Sequence, residues 1–300
     1  MRKGVALLFV LIVLAGLLTA YTSNVKAQST NIYISSDGSV VGTNNIQHNE
    51  DRYVLTGNIS GGIAVQKSNI IIDGAGYTLQ GSGGTGIDLT NNVTQVPSSR
   101  EIWNVTVENL RIMNFNFSVY TNGGGNHTFY DDYIGNTTNV VRGGIFFWGT
   151  GGSNITYCTI SGTPAIDLDF VSSGNSVTEN NLSGSLWVQL GGDETVYRNY
   201  WADYLTKYPN ATEIDSSGVG NTPYVFYSHG LAGGVLQDNN PLMEPISIPN
   251  FGAPSSSPPK SSSPLPSIPE FPSRAILLVV TTIIVTSGLL FYHKRKGKAV

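Results

Sequence analysis

The chain has 300 residues, of which 12% are charged, and it contains 35 glycines. This composition argues against a helical bundle and against a charged disordered chain, and it suits stacked β-structure. The formal net charge is −4, and basic clusters are confined to the termini, so nucleic-acid binding is not expected.

The first 27 residues have the layout of a secretory signal peptide. Arg2 and Lys3 precede an apolar run from Val5 to Leu18, and Ala27 provides a small residue at the exit. We predict that residues 1–27 are cleaved near Ala27, with an uncleaved N-terminal anchor as the alternative. In both cases the rest of the chain is exported.

Residues 28–66 carry a looser pattern of short strand-like runs separated by turns. The runs NIYIS and RYVLTGNI are rich in β-formers, and SSDGS and TNN supply turn residues. We predict an N-terminal cap here, because a stack of coils needs a cover over its first open edge.

Five short segments between residues 104 and 201 can be aligned with one another. In each, an apolar or aromatic residue stands five places before a second one. The pairs are Val107/Ile112, Phe129/Ile134, Ile155/Ile160, Val177/Leu182 and Val196/Trp201. This period of about 22 residues predicts an all-β fold, a single-stranded parallel β-helix over residues 67–203, with Asn69–Gly81 as a further coil.

One position in each repeat, three residues after the first apolar one, is polar or small. It is occupied by Asp132, Cys158, Asn180 and Asn199, and by Leu110 in the first repeat. Asn side chains stacked at an inner corner can bond to the backbone of neighbouring coils, so we predict a structural role. Cys158 is the only cysteine, which excludes an intrachain disulfide, and we expect it to be buried and unreactive.

A second group of strand-like runs follows the repeated pairs, and alternation divides their side chains between two faces. The inward set is Ile87, Leu89, Phe117, Val119, Ile145, Phe147, Ile166, Leu168, Leu186, Val188 and Leu190. The outward set is Asp88, Ser118, Tyr120, Phe146, Trp148, Asp167, Asp169, Trp187 and Gln189.

The outward set suggests a ligand. Coils about 4.8 Å apart would align the rings of Trp148 and Trp187 with the carboxylates of Asp167 and Asp169. Aromatic rings cover the apolar face of a sugar, and carboxylates accept from its hydroxyls. We therefore predict a polysaccharide or cell-surface glycan as the partner. The ligand-binding residues would be Trp148, Trp187, Asp167, Asp169, Asp88, Phe146, Gln189 and Tyr120. The alternative is a loop that packs over these rings.

Carboxylates also allow a catalytic alternative. Glycoside hydrolysis needs two carboxyl groups roughly 5 to 9.5 Å apart. Asp167 and Asp169, two apart on one strand, would be separated by about 7 Å at Cα, with Asp131 and Asp132 one coil away. A polysaccharide hydrolase or lyase using these four residues remains open, although adjacent acids also suit solvent or calcium.

Metal ligands are scattered along the chain. The soft ones are His48, His127, His229, His293, Met113, Met243 and Cys158. They lack the spacing of a copper or zinc motif, so any such site would have to be assembled by the fold. We predict no cofactor, with calcium or copper as the alternatives.

Nine Asn-x-Ser/Thr sequons are candidates for glycosylation. They begin at Asn58, Asn92, Asn104, Asn116, Asn126, Asn136, Asn154, Asn181 and Asn210. Some of them arise because Asn and Thr dominate the repeat.

The repeat stops after Trp201, and residues 204–246 are predicted to form an irregular C-terminal cap. Asn199-Tyr200-Trp201, Asp203-Tyr204, the run GNTPY and the run DNNPLM resemble the terminal segment of NosD-type right-handed parallel β-helix proteins. The upstream runs IYISSDGSV and NIIIDGAGYTLQG resemble the opening of archaeal surface members of that group.

This resemblance implies a right-handed parallel β-helix of a class associated with carbohydrate binding and sugar hydrolysis. It also implies the copper-handling alternative, since NosD is a periplasmic copper-binding protein that assists maturation of a copper enzyme. The signature of the polygalacturonase relatives is matched only by Asp131-Asp132.

Pro and Ser dominate residues 247–273, which predicts an extended stalk. Residues 274–293 are long and apolar enough for a transmembrane helix, and the basic residues 294–300 are predicted to be cytoplasmic. The order Pro-Glu-Phe-Pro, apolar helix, basic tail resembles the PEF-type sorting signals of archaeal surface proteins. It implies a sortase-like processing enzyme, and a permanent anchor is the alternative.

The sequence thus predicts a protein anchored to the membrane, with most of the chain outside the cell. Its expected function is that of a carbohydrate-binding, structural or adhesive module at the cell surface. The alternatives are a polysaccharide hydrolase or lyase and a copper-handling protein.

Overall fold

The computed structural model describes residues 32–90, 101–137, 143–169, 172–189, 193–229 and 236–251, without the side chains of Gln189 and residues 227–229. The predicted signal peptide, transmembrane helix and cytoplasmic tail lie outside these residues, as does nearly all of the predicted stalk. In the described part of the chain, no helix is long and apolar enough to cross a membrane.

Three sheets form the body of the protein, and almost all their strand pairs are parallel. Sheet A consists, in spatial order, of β2 (Val40–Val41), β1 (Ile32–Ile34), β6 (Ile63–Val65), β9 (Thr85–Leu89), β12 (Phe117–Asn122), β15 (Ile145–Trp148), β18 (Ile166–Asp169), β21 (Leu186–Gln189) and β27 (Tyr227–His229). Sheet B consists of β3 (Ile46–Asn49), β4 (Arg52–Leu55), β7 (Ile70–Asp73), β10 (Val105–Glu108), β13 (Thr128–Tyr130), β16 (Asn154–Thr156), β19 (Ser176–Thr178) and β22 (Thr195–Tyr197). Sheet C consists of β5 (Ile59–Ser60), β8 (Thr78–Gln80), β11 (Arg111–Met113), β14 (Tyr133–Gly135), β17 (Thr159–Ser161), β20 (Asn181–Ser183) and β23 (Tyr200–Trp201).

The chain passes through sheets B, C and A in turn, and so forms a parallel β-solenoid of about six turns. We number the coils from coil 1 (β4 to β6) to coil 6 (β19 to β21). The aligned pairs of the sequence are stacked as predicted: Val107 pairs with Phe129 in sheet B, and Ile112 pairs with Ile134 in sheet C. The predicted coil at Asn69–Gly81 is coil 2, where Leu79 pairs with Ile112.

Apolar side chains from all three sheets fill the interior of the solenoid. Phe129, Ile134 and Phe147 represent the three sheets in coil 4, and all three are fully buried. Burying a side chain of this size contributes about 1.5–3 kcal/mol, and each coil repeats the contribution. The stacked coils therefore share one continuous core.

The N-terminal end changes from parallel to antiparallel pairing. In coil 1, β4 pairs in parallel with β7 and β6 with β9, and β1 pairs in parallel with β6. Outside them, β3 lies antiparallel to β4 and β2 antiparallel to β1. These reversed strands cover the first edges of sheets B and A.

Phe117 differs from its predicted inward orientation. The amides of Ser118 and Val119 both donate to the carbonyl of Gly144, at 3.1 and 3.3 Å. Two successive donors on one acceptor mark a β-bulge, which resets the alternation so that Ser118 and Val119 are both buried. Phe117 therefore lies on the outer face, where it stacks on Tyr120.

The corner between sheets B and C has the same backbone conformation in coils 3 to 6 and in the turn from β22 to β23 that follows them. Its non-glycine residues with positive φ are Asn109, Asp131, Tyr157, Glu179 and Arg198, with φ between 54° and 55°. This left-handed conformation turns the chain and places the next residue in the interior.

The C-terminal region closes the other end of the solenoid. It contains α1 (Tyr204–Lys207), the pair β24 (Glu213–Ile214) and β25 (Val219–Gly220), and the pair β26 (Tyr224–Val225) and β28 (Gln237–Asp238). Tyr224 stacks on Trp201 with ring centroids 4.1 Å apart. The buried carboxylate of Asp238 accepts from the Asn199 backbone N–H at 2.9 Å and from Trp201 Nε1 at 3.2 Å.

Residues 246–251, which we call the C-terminal strap, run back along the outside of sheet C. Ile246 binds Asn181 of coil 6, and Asn250 binds Asp131 of coil 4. Phe251 lies over Arg111 of coil 3, 4.9 Å from its guanidinium carbon. The strap therefore connects several coils.

Candidate functional site

The outer face of sheet A carries a column of aligned polar and aromatic residues. Asp88 of coil 2 pairs with Tyr120, Tyr120 with Phe146, Phe146 with Asp167, and Asp167 with Trp187 of coil 6. The sequence prediction that these residues lie next to one another on successive coils is therefore confirmed in register.

A second column lies two residues further along the same strands. Asn122 pairs with Trp148, and Trp148 pairs with Asp169. Adjacent strands are about 4.8 Å apart, so the carboxylates of Asp167 and Asp169 each lie within one coil of an aromatic residue.

The aromatic side chains of this face contact one another. Tyr120 and Phe146 are stacked with centroids 5.1 Å apart and planes at 5°, and Phe117 stacks on Phe146 at 5.9 Å. Trp148 meets Phe146 edge to face at 6.1 Å. Such contacts contribute about 0.5–1.5 kcal/mol each beyond the area they bury, so the rings form an ordered surface.

The exposure of this face differs from the sequence prediction. Asp167, Asp169 and Phe146 are only 4%, 3% and 4% exposed, whereas an open position was expected for all three. Asp167 lies in register between Phe146 and Trp187, two residues with large rings.

The accessible groups of the face are therefore fewer than predicted. Tyr120, Trp148, Trp187 and Asp88 are partly exposed. Asp88 accepts from the backbone N–H and the hydroxyl of Thr90, at 2.9 and 2.6 Å, which fixes its carboxylate in a tight turn. The predicted contribution of Gln189 falls on a side chain outside the described part.

The other predicted pair of acids lies elsewhere. Asp131 and Asp132 occupy the corner between β13 and β14, whereas Asp167 and Asp169 lie in β18 of sheet A. Asp132 is fully buried, and its Oδ1 accepts the Leu110 backbone N–H at 2.9 Å. The four aspartates therefore do not form one catalytic group, because Asp131 and Asp132 serve the corner of the solenoid.

The predicted structural column at this corner is confirmed. Asn180 accepts the Cys158 backbone N–H at 2.9 Å, and Asn199 accepts that of Asn180 at 3.1 Å. Cys158 is fully buried, and burial raises the pKa of its thiol well above the usual value. A thiol in this position is unreactive, as predicted.

A second internal column of polar residues was not predicted. His127 accepts the Val105 backbone N–H, Ser153 that of His127, Asn175 that of Ser153, and Glu194 that of Asn175. All four stand two residues before the first apolar residue of their repeat, which is the sequence signal that identifies them.

Burial shifts two groups of the second column in opposite directions. It lowers the pKa of His127 to about 4, so that this imidazole is neutral. It raises the pKa of Glu194 to about 7. Both residues already accept backbone amides, which gives them a structural role.

Metal ligands are not assembled by the fold in the described residues, where no group of three or more His, Cys, Asp or Glu could hold an ion. His48 stacks on Tyr53 at 5.2 Å, and His127 and Cys158 belong to different internal columns.

The sequons fall into three groups. Seven of their asparagines are exposed, and Asn92 lies outside the described residues. The exposed ones are Asn58, Asn104, Asn116, Asn126, Asn136, Asn154 and Asn210. Asn181 is only 3% exposed, and both ends of its amide bind the backbone of Ile246. Burial and these two bonds disfavour a glycan at Asn181 in the folded protein.

Comparisons with protein-family models, with curated proteins and with solved structures give no match for this chain. The parallel β-solenoid is established by its strand pairing. The likeness to NosD-type proteins remains a resemblance of sequence motifs.

Proposed function

We propose that the outer face of sheet A binds a carbohydrate chain. The observation that carries this proposal is that Tyr120, Trp148 and Trp187, all partly exposed, lie on three coils on the outer face of one sheet, Tyr120 and Trp187 in the first column and Trp148 in the second. Their rings offer apolar surfaces at intervals set by the coil spacing, which suits a ligand that is itself a repeating chain.

The same face also carries carboxylates. Asp167 and Asp169 lie between the ring-bearing strands, while Asp88 is partly exposed at one end of the face and held by Thr90. A sugar lying across the rings would meet Asp88 as an acceptor for its hydroxyls. In this arrangement the rings provide most of the contact area, and Asp88 accepts hydrogen bonds from the sugar.

A glycan array probed with the full-length chain tests the proposal. Trp148→Ala and Trp187→Ala should each weaken binding about tenfold, since an aromatic contact of this kind contributes about 1.5 kcal/mol. Trp103→Ala is the matched control, because Trp103 is 43% exposed and pairs with Gly125, outside sheet A. Binding that survives both sheet A substitutions would reject the proposal.

Release of reducing ends from the bound glycans should be measured in parallel. Release that disappears in Asp167→Asn or Asp169→Asn would assign the face to hydrolysis. Release that persists in both would reject that pair as catalysts.

We also propose that the protein works at the cell surface, anchored by residues 274–293, with the solenoid outside. The order of charged and apolar segments at the two ends of the sequence supports this proposal. Protease treatment of intact cells should remove the solenoid and leave a C-terminal fragment with the membrane. Full protection of the solenoid would contradict the external location.

A further inference from the structure

We call each position of the internal column at the corner between sheets B and C a rung. Asp132 occupies a rung that Asn180 and Asn199 occupy further along the chain. Asn180 uses both ends of its amide: Oδ1 accepts the Cys158 N–H, and Nδ2 donates to the carbonyls of Ile155 and Thr178 at 2.8 and 3.0 Å. Asn199 repeats the pattern, donating from Nδ2 to the carbonyl of Val177 at 2.8 Å. Each of these Asn rungs therefore supplies one acceptor and one donor.

Asp132 satisfies only the acceptor half of this pattern. Its Oδ1 accepts the Leu110 N–H at 2.9 Å, but its Oδ2 is buried and has no hydrogen-bond partner in the described residues. Register places Val107 relative to Asp132 as Ile155 lies relative to Asn180. Oδ2 therefore stands where an amide would donate to backbone carbonyls. An ionised carboxylate has no proton to donate there, whereas a neutral carboxyl group has one.

The acidic groups that face Asp132 disfavour a negative charge on its carboxyl group. They are Asp131 in the same corner, Glu108 in coil 3 and Asp73 in coil 2, and the Cys158 thiol lies one coil on. Arg52 is committed to Asp73 and Glu108, at 2.7 Å from each. Burial and these neighbours raise the pKa of Asp132 well above its ordinary value.

The corner at Asp132 is also where the C-terminal strap is fastened. The adjacent Asp131 accepts the Asn250 backbone N–H at 3.1 Å through Oδ1, and its Oδ2 accepts from the Asn250 side chain. Any movement that exposes the Asp132 carboxyl to water must move this corner. Asp131 would then lose Asn250.

We propose that Asp132 is a neutral carboxylic acid at neutral pH, whose hydroxyl replaces an Asn amide in the ladder, and that its ionisation releases the C-terminal strap from coil 4. The fold thus contains a pH-sensitive fastening between the solenoid and the segment that leads to the C-terminus.

The direction of the pH effect follows from the raised pKa. The stabilising contribution of Asp132 is complete below its unfolded value of 3.8 and is lost as pH rises through its folded pKa. Between pH 3.8 and the folded pKa, the equilibrium constant for opening of the corner should increase up to about tenfold for each pH unit.

Hydrogen exchange of the full-length chain between pH 5 and pH 9, corrected for intrinsic exchange, tests this proposal. The amide of Asn250 should open more with rising pH, whereas the amide of Ile246, which is held by Asn181, and those of residues 145–148 in sheet A should not. In Asp132→Asn the strap should open less and show no such dependence. Asp169→Asn, which alters a buried carboxyl group on sheet A, should retain the wild-type behaviour.

Two further measurements guard against a folding artefact. The infrared spectrum at pH 7 should contain a protonated-carboxyl band that Asp132→Asn lacks. Asn180→Asp should add a second pH-dependent rung. The proposal is overturned if the infrared band is absent, if Asp132→Asn keeps the wild-type pH dependence, or if that variant unfolds more easily at pH 7.

Discussion

Asn181 holds Ile246 by both backbone groups, since its Oδ1 accepts the Ile246 N–H and its Nδ2 donates to the Ile246 carbonyl, each at 2.9 Å. The two residues are 65 positions apart in the chain. This paired contact attaches the strap to coil 6, and Asn250 attaches it again at coil 4.

Asn181→Ala should weaken the strap contact. It removes the two hydrogen bonds to Ile246, each worth about 1 kcal/mol, and a longer one from Nδ2 to Thr159 Oγ1 at 3.3 Å, and it leaves the backbone groups of Ile246 without their partner. We expect faster hydrogen exchange of residues 246–251 and a free energy of unfolding lower by about 2 kcal/mol. Asn154→Ala, an exposed asparagine of coil 5, is the control and should change neither quantity.

The same contact predicts which sequons can carry glycan. Peptide mapping of protein from a glycosylating host should show Asn181 unmodified, because its amide is buried and engaged. Exposed sites such as Asn154 and Asn210 are accessible. A glycan on Asn181 in folded protein would contradict the position of the strap.

Glu179→Asn should stabilise the protein by about 1 kcal/mol. Glu179 has a φ of 54°, a conformation that costs most residues about that much and that Asn adopts more readily. The lost ion pair with Arg198 is long, at 3.8 Å, and exposed pairs contribute little. Thermal and chemical denaturation would measure the gain. Glu179→Ala is the matched control, and an equal gain from it would exclude the backbone explanation.

His127 should make the protein less stable in acid. Its folded pKa is about 4 and its unfolded value 6.5, so the unfolded chain binds the proton first as pH falls. The free energy of unfolding should decrease from pH 6.5 toward pH 4, by up to about 3 kcal/mol. His127→Asn keeps an acceptor for the Val105 N–H and should remove this slope.

Glu194 should make the protein less stable as the pH rises, opposite to the effect of His127. With a folded pKa of about 7 against 4.5 for the free side chain, its contribution is lost as pH rises from 4.5 through 7. Denaturation of Glu194→Gln over this range separates the two effects. An unchanged pH profile in either variant would remove that residue from the explanation.

Cys158 should react with thiol reagents only when the protein unfolds. It is fully buried in the corner column, and its backbone N–H and C=O bind Asn180 and Asn181. Labelling rates in increasing denaturant should follow the global unfolding transition. Labelling at a denaturant-independent rate would show local access to the core.

The parts of the fold that repeat could be predicted from the sequence. Apolar pairs such as Val107/Ile112 recur with the coil, so their spacing alone predicts stacking, and the polar position at Asn180 recurs with them. The strap could not be predicted, because Ile246 and Asn250 contact residues far away in the chain and follow no period. Phe117 was placed on the wrong face because a bulge depends on backbone bonding to Gly144 and not on side-chain alternation.

The candidate site shows the same division. Alternation and register predicted which side of sheet A carries Trp148 and Asp167, and the strand pairs agree. The exposed fraction of each side chain was not predictable, since alternation indicates the direction of a side chain but not how far its neighbours cover it. Asp132 was predicted as part of a structural column, but its missing donor becomes evident only beside the bonds of Asn180.

The strap also determines where mechanical load would enter the molecule. Phe251 lies on the flank of the solenoid beside Arg111 of coil 3 and Tyr133 of coil 4, because the strap runs back along sheet C from coil 6. A pull on the C-terminus would therefore strain the Asn250 contacts first and those of Ile246 afterwards, one fastening at a time. The strap would detach from sheet C before the stacked coils carried the force, so the pulled segment would lengthen while the solenoid stayed folded.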